Sequence, residues 1–188
     1  MPPPPGSKAP DNARPMLAVV SGRPGSGKST LASKLAGLLG CPLVSRDEIN
    51  RGLLHTARRW PELPSTDELT RLTFDAFGRA LAVFVSCGVT VVAEAAFNHP
   101  RWRIVLEPLL PLTDVKIIHC AVDADLTRER LIHRYLQAHN ADPSFVTQAT
   151  ELATRDFEKL ALPLPTLTVS TADGYDPPLH QIAAFVRL

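Results

Sequence analysis

Short apolar runs alternate with longer segments of helical periodicity along most of the chain. Runs that are apolar on both faces predict buried strands of a parallel sheet, and apolar residues that recur every three or four positions predict amphipathic helices. The predicted strands are Met16–Ser21, Pro42–Ser45, Val89–Ala93, Val115–Val122 and Thr166–Ser170. The predicted helices are Lys28–Leu39, one from Glu48 onward, one from Ser65 to Gly88, Asp125–Ala138, Ser144–Lys159 and Pro178–Leu188. This order predicts an α/β fold with a parallel sheet between two layers of helices.

Two of these helices carry the clearest local signals. Ser65 to Glu68 form a capping box, in which a serine and a glutamate three residues later satisfy the first free N–H groups of a helix. The apolar stripe predicted to follow is Leu69, Leu72, Ala76, Ala80 and Val83. The stripe predicted for the first helix is Leu31, Leu35, Leu38 and Leu39, with Gly40 as its stop.

Length and composition narrow the possible functions. A chain of 188 residues is long enough for one domain with a buried core. Its 20 lysines and arginines against 19 acidic residues give a net charge of +1, so nucleic acid is a possible partner that is not favoured. No apolar run approaches the ~18 residues that a membrane span needs, so no membrane partner is expected. The three distant cysteines (Cys41, Cys87 and Cys120) predict buried core thiols in the reducing cytoplasm.

The first 14 residues differ from the rest of the chain. They include four consecutive prolines, followed by glycine, serine and polar residues, and they lack the apolar stretch of a signal peptide. Such a segment buries too little surface to order itself, so residues 1–14 are predicted to be a disordered tail. Residues 15–188 are predicted to form a single domain.

The strongest motif follows the first predicted strand. The sequence GRPGSGKS, from Gly22 to Ser29, fits G-x-x-x-x-G-K-[ST] at every fixed position, and Thr30 follows it. Glycines let backbone N–H groups converge on an anion, and the following helix adds its positive end. The residues expected to bind the nucleotide phosphates are Gly22, Pro24, Gly25, Ser26, Gly27, Lys28, Ser29 and Thr30. Lys28 is expected to reach the β- and γ-phosphates, and the Ser29 hydroxyl is expected to be a ligand of Mg²⁺.

This motif predicts nucleotide binding without selecting one class of enzyme. GTPases, motor ATPases and kinases share it. The chain contains no NKxD-type motif for reading guanine, and it is too short for the strand set of a large mechanical ATPase. These two observations favour a small kinase.

A second motif, SRDEINR from Ser45 to Arg51, directly follows the second predicted strand. Together with SGRPGSGKST, VTVVAEAAFN and the basic segment LTRERLIHR, it resembles the P-loop kinases of the polynucleotide-kinase-like and chloramphenicol-phosphotransferase-like group, with zeta-toxin and gluconate kinases as wider relatives. The resemblance spans most of Met16 to Arg134. It implies a P-loop three-layer sandwich with strand order 2-3-1-4-5, a small helical lid, and the cofactors ATP and Mg²⁺.

The resemblance also implies roles on the acceptor side. Asp47 matches the aspartate that accepts the proton of the substrate hydroxyl; the alternative is that it only caps the helix starting at Glu48. Arg46 and Arg51 are candidate substrate-binding residues, and the alternative for Arg46 is a solvated arginine. Glu94 matches an acidic residue that binds substrate or helps hold the water shell of Mg²⁺, with Asn98 as its companion. The alternative for Glu94 is a helix cap at the turn 98–100.

The basic helix after the fourth strand is expected to begin a lid at about residues 128–145. Arg130 and Arg134 are four residues apart, so they share one helical face, and the resemblance implies that they stabilise charge on the transferring phosphoryl group. The alternative is an exposed helix whose arginines pair with Glu129. Arg128 lies on the same helix.

The expected activity is transfer of the γ-phosphate of Mg-ATP to a hydroxyl of a small-molecule acceptor. A 5′-hydroxyl polynucleotide kinase is one alternative. Four basic residues share one predicted helical face next to Trp60: Arg51, His55, Arg58 and Arg59. This face could bind an anionic or aromatic substrate, or it could simply be a solvated surface. Polynucleotide kinases carry an arginine where this chain has Asn50, which weighs against that alternative. A nucleotide-binding regulatory module without acceptor chemistry is the alternative from another class.

Overall fold

Five parallel strands form a single sheet in the computed structural model, which describes residues 14–97, 101–138, 151 and 162–188. The strands are β1 (Met16–Ser21), β2 (Leu43–Ser45), β3 (Val91–Glu94), β4 (Asp114–Ala121) and β5 (Thr166–Ser170). The helices are α1 (Lys28–Leu39), α2 (Arg46–Ala57), α3 (Thr66–Ser86), α4 (Arg101–Leu106), α5 (Ala124–Ala138) and α6 (Leu179–Arg187), with a 3₁₀ turn at Glu107–Leu109. The order across the sheet is β2-β3-β1-β4-β5, which confirms the predicted class and strand order.

Each face of the sheet is covered by its own apolar cluster. On the first face, Leu17 and Val19 of β1 pack with residues of α3 and α4, among them Phe77 and Trp102. On the second face, Ala18 and Val20 pack with residues of α1 and α6. All four β1 side chains are fully buried. The run in β1 is apolar throughout because neither of its faces meets solvent.

The register brings three loops to one edge of the sheet. Val20 of β1 pairs with Glu94 of β3, and Ser45 of β2 pairs with the same Glu94 from the other side. Ser21, the last residue of β1, pairs with His119 of β4. The segments that follow β1, β2 and β3 therefore start side by side at the carboxyl edge, where parallel α/β sheets bind their ligands.

Several sequence predictions need correction. The buried residues of α3 are Thr73, Phe77, Leu81 and Val85, one position beyond much of the predicted stripe, and Val83 is 60% exposed. The rotation follows from the aromatic contacts of Phe77, whose ring centroid lies 5.2 Å from that of Trp102. Leu38 of α1 is 46% exposed. Among the cysteines Cys120 is buried, whereas Cys41 is half-buried and Cys87 is exposed.

Of the other predictions, one matches the structure and several concern residues outside the described ranges. The capping box is confirmed, since the Glu68 amide donates to Ser65 Oγ at 3.2 Å. Residues 1–13, Asn98, the lid beyond residue 138 and all of the predicted helix 144–159 except Glu151 lie outside the described residues. Within the described ranges, none of the helices combines the length and the apolarity that crossing a bilayer requires.

Candidate active site

The loop Gly22–Ser29, hereafter the phosphate loop, connects β1 to α1. Gly27 stands at the N-cap of α1 in a left-handed conformation (φ 76°), and among the described residues no side chain caps this helix. The first turn also contains no acidic residue. The free N–H groups and the positive end of α1 are therefore left to a ligand, and an anion suits them.

Two glycines explain how tightly this loop is enclosed. Gly25 has φ 82°, which side chains other than glycine rarely adopt, and a Cβ there would lie 2.9 Å from the Thr127 carbonyl oxygen of α5. A Cβ on Gly22 would lie 2.5 Å from Ser26 Oγ. The loop is thus folded onto itself and against α5, with no space for a side chain at either position.

Glu94 is the most buried charged residue at this edge, with 1% of its surface exposed. Its Oε1 accepts a hydrogen bond from Ser29 Oγ at 3.1 Å, and its Oε2 accepts one from Ser45 Oγ at 2.7 Å. Lys28 Nζ lies 3.7 Å from Oε1. The carboxylate therefore ties the phosphate loop to the end of β2. The alternative considered for Glu94, a helix cap at the turn 98–100, falls on residues outside the described ranges.

These residues also offer ligands for a metal ion. The Ser29 hydroxyl and the Glu94 carboxylate are oxygen donors, the kind that Mg²⁺ prefers, and they lie beside the loop in which a triphosphate fits. Mg²⁺ is commonly held by one or two protein groups together with substrate phosphates and water. In the described part of the chain, no group of three or more His, Cys, Asp or Glu side chains could hold a metal ion by itself. The donor set fits Mg²⁺.

Cys120, at the end of β4, borders the phosphate loop without offering reactive chemistry. Burial raises the pKa of its thiol to about 12; the positive charge of Lys28 lowers the pKa and the negative charge of Glu94 raises it, but both effects are smaller. The thiol is neutral at physiological pH, and its role is to pack beneath Gly22.

Asp47 lies in the first turn of α2, two residues beyond Ser45. The helix begins at Arg46 and Ser45 occupies its N-cap position, so the alternative that Asp47 caps a helix starting at Glu48 is wrong. The side chain of Asp47 is 58% exposed, and its Oδ1 lies 3.1 Å from Arg46 Nη1. The Cζ of Arg46 lies 5.9 Å from the ring centroid of Phe74 on α3. Asp47 is thus an accessible carboxylate beside a guanidinium that an aromatic ring and an ion pair hold in place.

The rest of α2 is largely exposed or packs on α3. Arg51 is exposed and its Nη2 lies 3.6 Å from Glu48 Oε1. Asn50 accepts a hydrogen bond from Thr73 Oγ1 at 3.1 Å, which fixes α2 to α3. The other basic residues of the predicted face, His55, Arg58 and Arg59, are all exposed. Because α2 ends at Ala57, Arg58 and Arg59 lie beyond the helix.

The two arginines of α5 differ in their surroundings. Arg130 Nη2 donates to the carbonyl oxygens of Thr171 and Ala172 at 2.8 and 2.9 Å. Arg134 is exposed and lines a cavity of about 610 Å³, which Arg130 and residues of the phosphate loop also line. Within the described ranges neither arginine pairs with Glu129, in contrast to the alternative considered from the sequence; the ion pair of this helix joins Arg128 to Asp125 at 3.8 Å.

That cavity brings three segments of the chain together. Its lining includes Gly25 and Gly27 of the phosphate loop, Arg130 and Arg134 of α5, and Tyr175 of the connection between β5 and α6. Lys34 Nζ lies 5.2 Å from the centroid of the Tyr175 ring at its rim. The cavity therefore offers an aromatic surface and cations beside a phosphate-binding loop.

Two residues of the site were not singled out from the sequence. Ser45 was read only as part of a strand and motif, and its bond to Glu94 depends on β2 lying beside β3. Thr171 Oγ1 donates to the Ser26 carbonyl oxygen at 2.7 Å and is buried. Their common signal is a hydroxyl residue at or just after the carboxyl end of a predicted strand.

The fold and the phosphate loop at this edge of the sheet are those of the P-loop kinases. A family model described as an AAA domain matches residues 17–160, and the chain belongs to that family. An uncharacterised protein of Mycobacterium tuberculosis and one of Mycobacterium bovis are each 28% identical over 127 residues, covering 63% of this chain. The chain spans about a quarter of the length of these relatives (25%).

Solved structures share the fold. A protein from Chloroflexus aurantiacus described as a candidate kinase has a TM-score of 0.75 at 22% identity, over 93% of this chain and 98% of its own. A gluconokinase from Sinorhizobium meliloti has a TM-score of 0.57 at 20% identity, over 92% and 89%. The Mycobacterium tuberculosis APS kinase CysC, solved with AMPPNP and APS, has a TM-score of 0.65 at 17% identity, over 94% and 100%. The chain thus has the fold of the P-loop kinases.

Proposed function

We propose that this chain transfers the γ-phosphate of Mg-ATP to a hydroxyl group of a small-molecule acceptor. The observation that carries the proposal is the pair of hydrogen bonds on Glu94. Ser29 donates to one carboxylate oxygen and Ser45 to the other, so one buried anion joins the phosphate loop to the start of the helix that carries Asp47. A donor site and an acceptor site that share such a link suit group transfer between them.

The nucleotide half of the site rests on the phosphate loop. Its N–H groups and the positive end of α1 bind the phosphates, Lys28 neutralises the β- and γ-phosphates, and the base lies in the cavity between α5 and Tyr175. Ser29 and Glu94 would hold Mg²⁺, which when bound neutralises charge on the phosphates. An APS kinase with this fold binds the ATP analogue AMPPNP, which supports the choice of nucleotide.

The acceptor half of the site rests on Asp47. Its exposed carboxylate accepts a hydrogen bond from the acceptor hydroxyl and aligns the oxygen with the γ-phosphorus. It takes the proton as the new O–P bond forms and the bond from the γ-phosphorus to the β–γ bridging oxygen breaks, which releases ADP. Arg46 holds this carboxylate in place and remains partly exposed for contact with the acceptor. Arg134, exposed in the cavity, balances the charge that develops on the transferred group. Arg51 and Asn98 complete the proposed acceptor-binding residues.

We infer a small-molecule acceptor because the basic residues of α2 are spread along its exposed side and Arg51 already faces Glu48. The solved relatives include a gluconokinase and an APS kinase, both named for small molecules. We also place the protein in the cytoplasm, since all three cysteines are free thiols.

A panel of acceptors with γ-labelled ATP tests the proposal. Sugars, nucleosides, hydroxylated antibiotics and 5′-hydroxyl oligonucleotides are each incubated with the protein, ATP and Mg²⁺, and labelled products are separated. Label on a small molecule supports the proposal. Label on the oligonucleotide alone, weakening steeply with salt, identifies the polynucleotide kinase instead. Tight nucleotide binding with no labelled acceptor and a nucleotide-dependent change in shape indicates the regulatory module.

A further inference from the structure

Thr171 lies at a junction between the phosphate loop and α5. It directly follows β5 and is 5% exposed. Its Oγ1 donates to the Ser26 carbonyl oxygen at 2.7 Å, its N–H donates to the Ala121 carbonyl oxygen at 3.1 Å, and its own carbonyl accepts from Arg130. All its polar groups are therefore engaged, and each bond leads to a different part of the molecule.

The bond to Ser26 has a specific physical reason. In a loop whose N–H groups converge on an anion, the carbonyl groups point outward, away from the ligand. Ser26 is fully buried, so its outward carbonyl needs a donor from the protein. Thr171 supplies that donor. The hydroxyl thereby fixes the peptide that joins Ser26 to Gly27, whose N–H belongs to the phosphate loop.

Arg130 binds the backbone of Thr171. Arg130 Nη2 donates to both the Thr171 and the Ala172 carbonyl oxygens, and Nη1 lies 3.8 Å from the position that a Cβ of Gly27 would occupy. The same position lies 3.7 Å from Thr171 Cβ. Arg130 thus binds the segment after β5 and also packs on the phosphate loop. The sequence predicted a different role for it, as a second arginine that stabilises charge on the transferred group.

We propose that Thr171 is a positioning residue that transmits the placement of α5 to the phosphate loop. The relay runs from Arg130 through Thr171 to the Ser26 carbonyl. When Arg130 holds the end of β5, the Thr171 hydroxyl keeps the loop in the conformation that presents its N–H groups to phosphate. This inference rests on the proposed nucleotide site, whose cavity Thr171 also lines, and it assigns a positioning role to the Thr171 hydroxyl, which is bonded to the Ser26 carbonyl.

Three substitutions test the relay, with Mg-AMPPNP as the ligand and calorimetry as the measurement. Thr171→Val keeps the shape and removes the hydroxyl, so AMPPNP binding is expected to weaken by about tenfold, the effect of leaving one buried carbonyl unpaired. Thr171→Ser keeps the hydroxyl and is expected to bind within about twofold of the parent. Thr171→Ala replaces the valine variant where that variant does not fold. Unchanged AMPPNP affinity in a folded variant without the hydroxyl overturns the inference, even where thermal stability falls.

A double-mutant cycle with Arg130→Met separates a relay from two independent contacts. If Thr171 transmits the effect of Arg130, the substitution of Arg130 costs less in the Thr171→Val background than in the parent, by about threefold or more. Additive losses overturn the relay, because Arg130 would then act on the nucleotide without Thr171. A parent chain that binds no AMPPNP overturns the proposed function and this inference with it. A parent that binds AMPPNP equally with and without the hydroxyl overturns the inference alone.

Discussion

Lys28 Nζ lies 3.7 Å from Oε1 of Glu94, and the two side chains are 7% and 1% exposed. The lysine to which the proposed function assigns the phosphates is thus paired with a buried carboxylate, which also accepts hydrogen bonds from two serine hydroxyls. A buried charge of this kind persists only where it is paired and hydrogen-bonded. Glu94 is therefore the residue whose replacement should disturb both halves of the site.

We expect Glu94→Gln to lower phosphoryl transfer by about a hundredfold or more, because the amide lacks the charge that aligns Lys28 and suits a metal ion. Nucleotide binding measured without Mg²⁺ should change little, and the benefit from added Mg²⁺ should shrink. The control is Glu107→Gln, which changes a carboxylate that pairs with Arg103 at the surface. A Glu94→Gln variant with the parent's transfer rate and Mg²⁺ dependence would refute this role.

Asp47→Asn tests the acceptor side. The amide keeps the size of the side chain but takes up no proton, so we expect transfer to fall by about 10²–10⁴-fold while AMPPNP affinity stays at the parent value. Glu48→Gln is a matched control, since Glu48 lies in the same first turn of α2 and faces Arg51. Steady-state rates and calorimetry give the two readings. Full turnover by the asparagine variant would remove Asp47 from the mechanism.

Arg134→Gln is expected to lower kcat by at least about tenfold, with a smaller effect on nucleotide affinity, because the charge it balances develops during transfer. Arg128→Gln, on the same helix but paired with Asp125, should leave kcat near the parent value. Equal losses in the two variants would indicate a general effect of charge on α5.

The buried face of α3 gives a prediction about stability. Phe77 is fully buried against Phe97 and Trp102, so Phe77→Ala should lower the free energy of unfolding by about 3–5 kcal/mol. Val83→Ala, on the exposed side of the same helix, should change it by no more than about 0.5 kcal/mol. Chemical denaturation measures both. Similar losses would mean that the helix is rotated toward the stripe expected from its apolar pattern.

The cysteines give a prediction about pH. Burial raises the pKa of Cys120 from the ordinary thiol value of 9.0 to about 12 in the folded protein. The folded thiol keeps its proton where the unfolded thiol loses it, so the stability linked to this group is full below pH 9 and declines as pH rises through about 9 to 12. At pH 8, iodoacetamide should therefore label exposed Cys87 quickly and Cys120 only on unfolding, as followed by mass spectrometry. Equal labelling rates in the folded protein would contradict the burial of Cys120.

The sheet and the phosphate loop could be predicted because their signals are local. The β1 run is apolar on both faces, and the glycines and Lys28 follow it at fixed spacing. The hydrogen bond from Ser45 to Glu94 could not be predicted. The two residues are far apart in sequence, and they meet only because β2 lies beside β3 in the sheet. The rotation of α3 also depends on distant rings. The role of Thr171 could not be predicted because a single hydroxyl residue after a strand has no sequence signature. Its hydrogen-bond partner, the Ser26 carbonyl, is 145 residues away in the chain.

The position of β2 has a consequence for how this protein could diversify. β2 borders β3 alone, at one margin of the sheet, and the next two helices continue from it as a single stretch of chain. The cavity beside α5, by contrast, is assembled at the other side of β1 from distant stretches. Under the proposed function, exchange of the contiguous segment from α2 to α3 would therefore change the acceptor specificity and leave the nucleotide-binding residues intact.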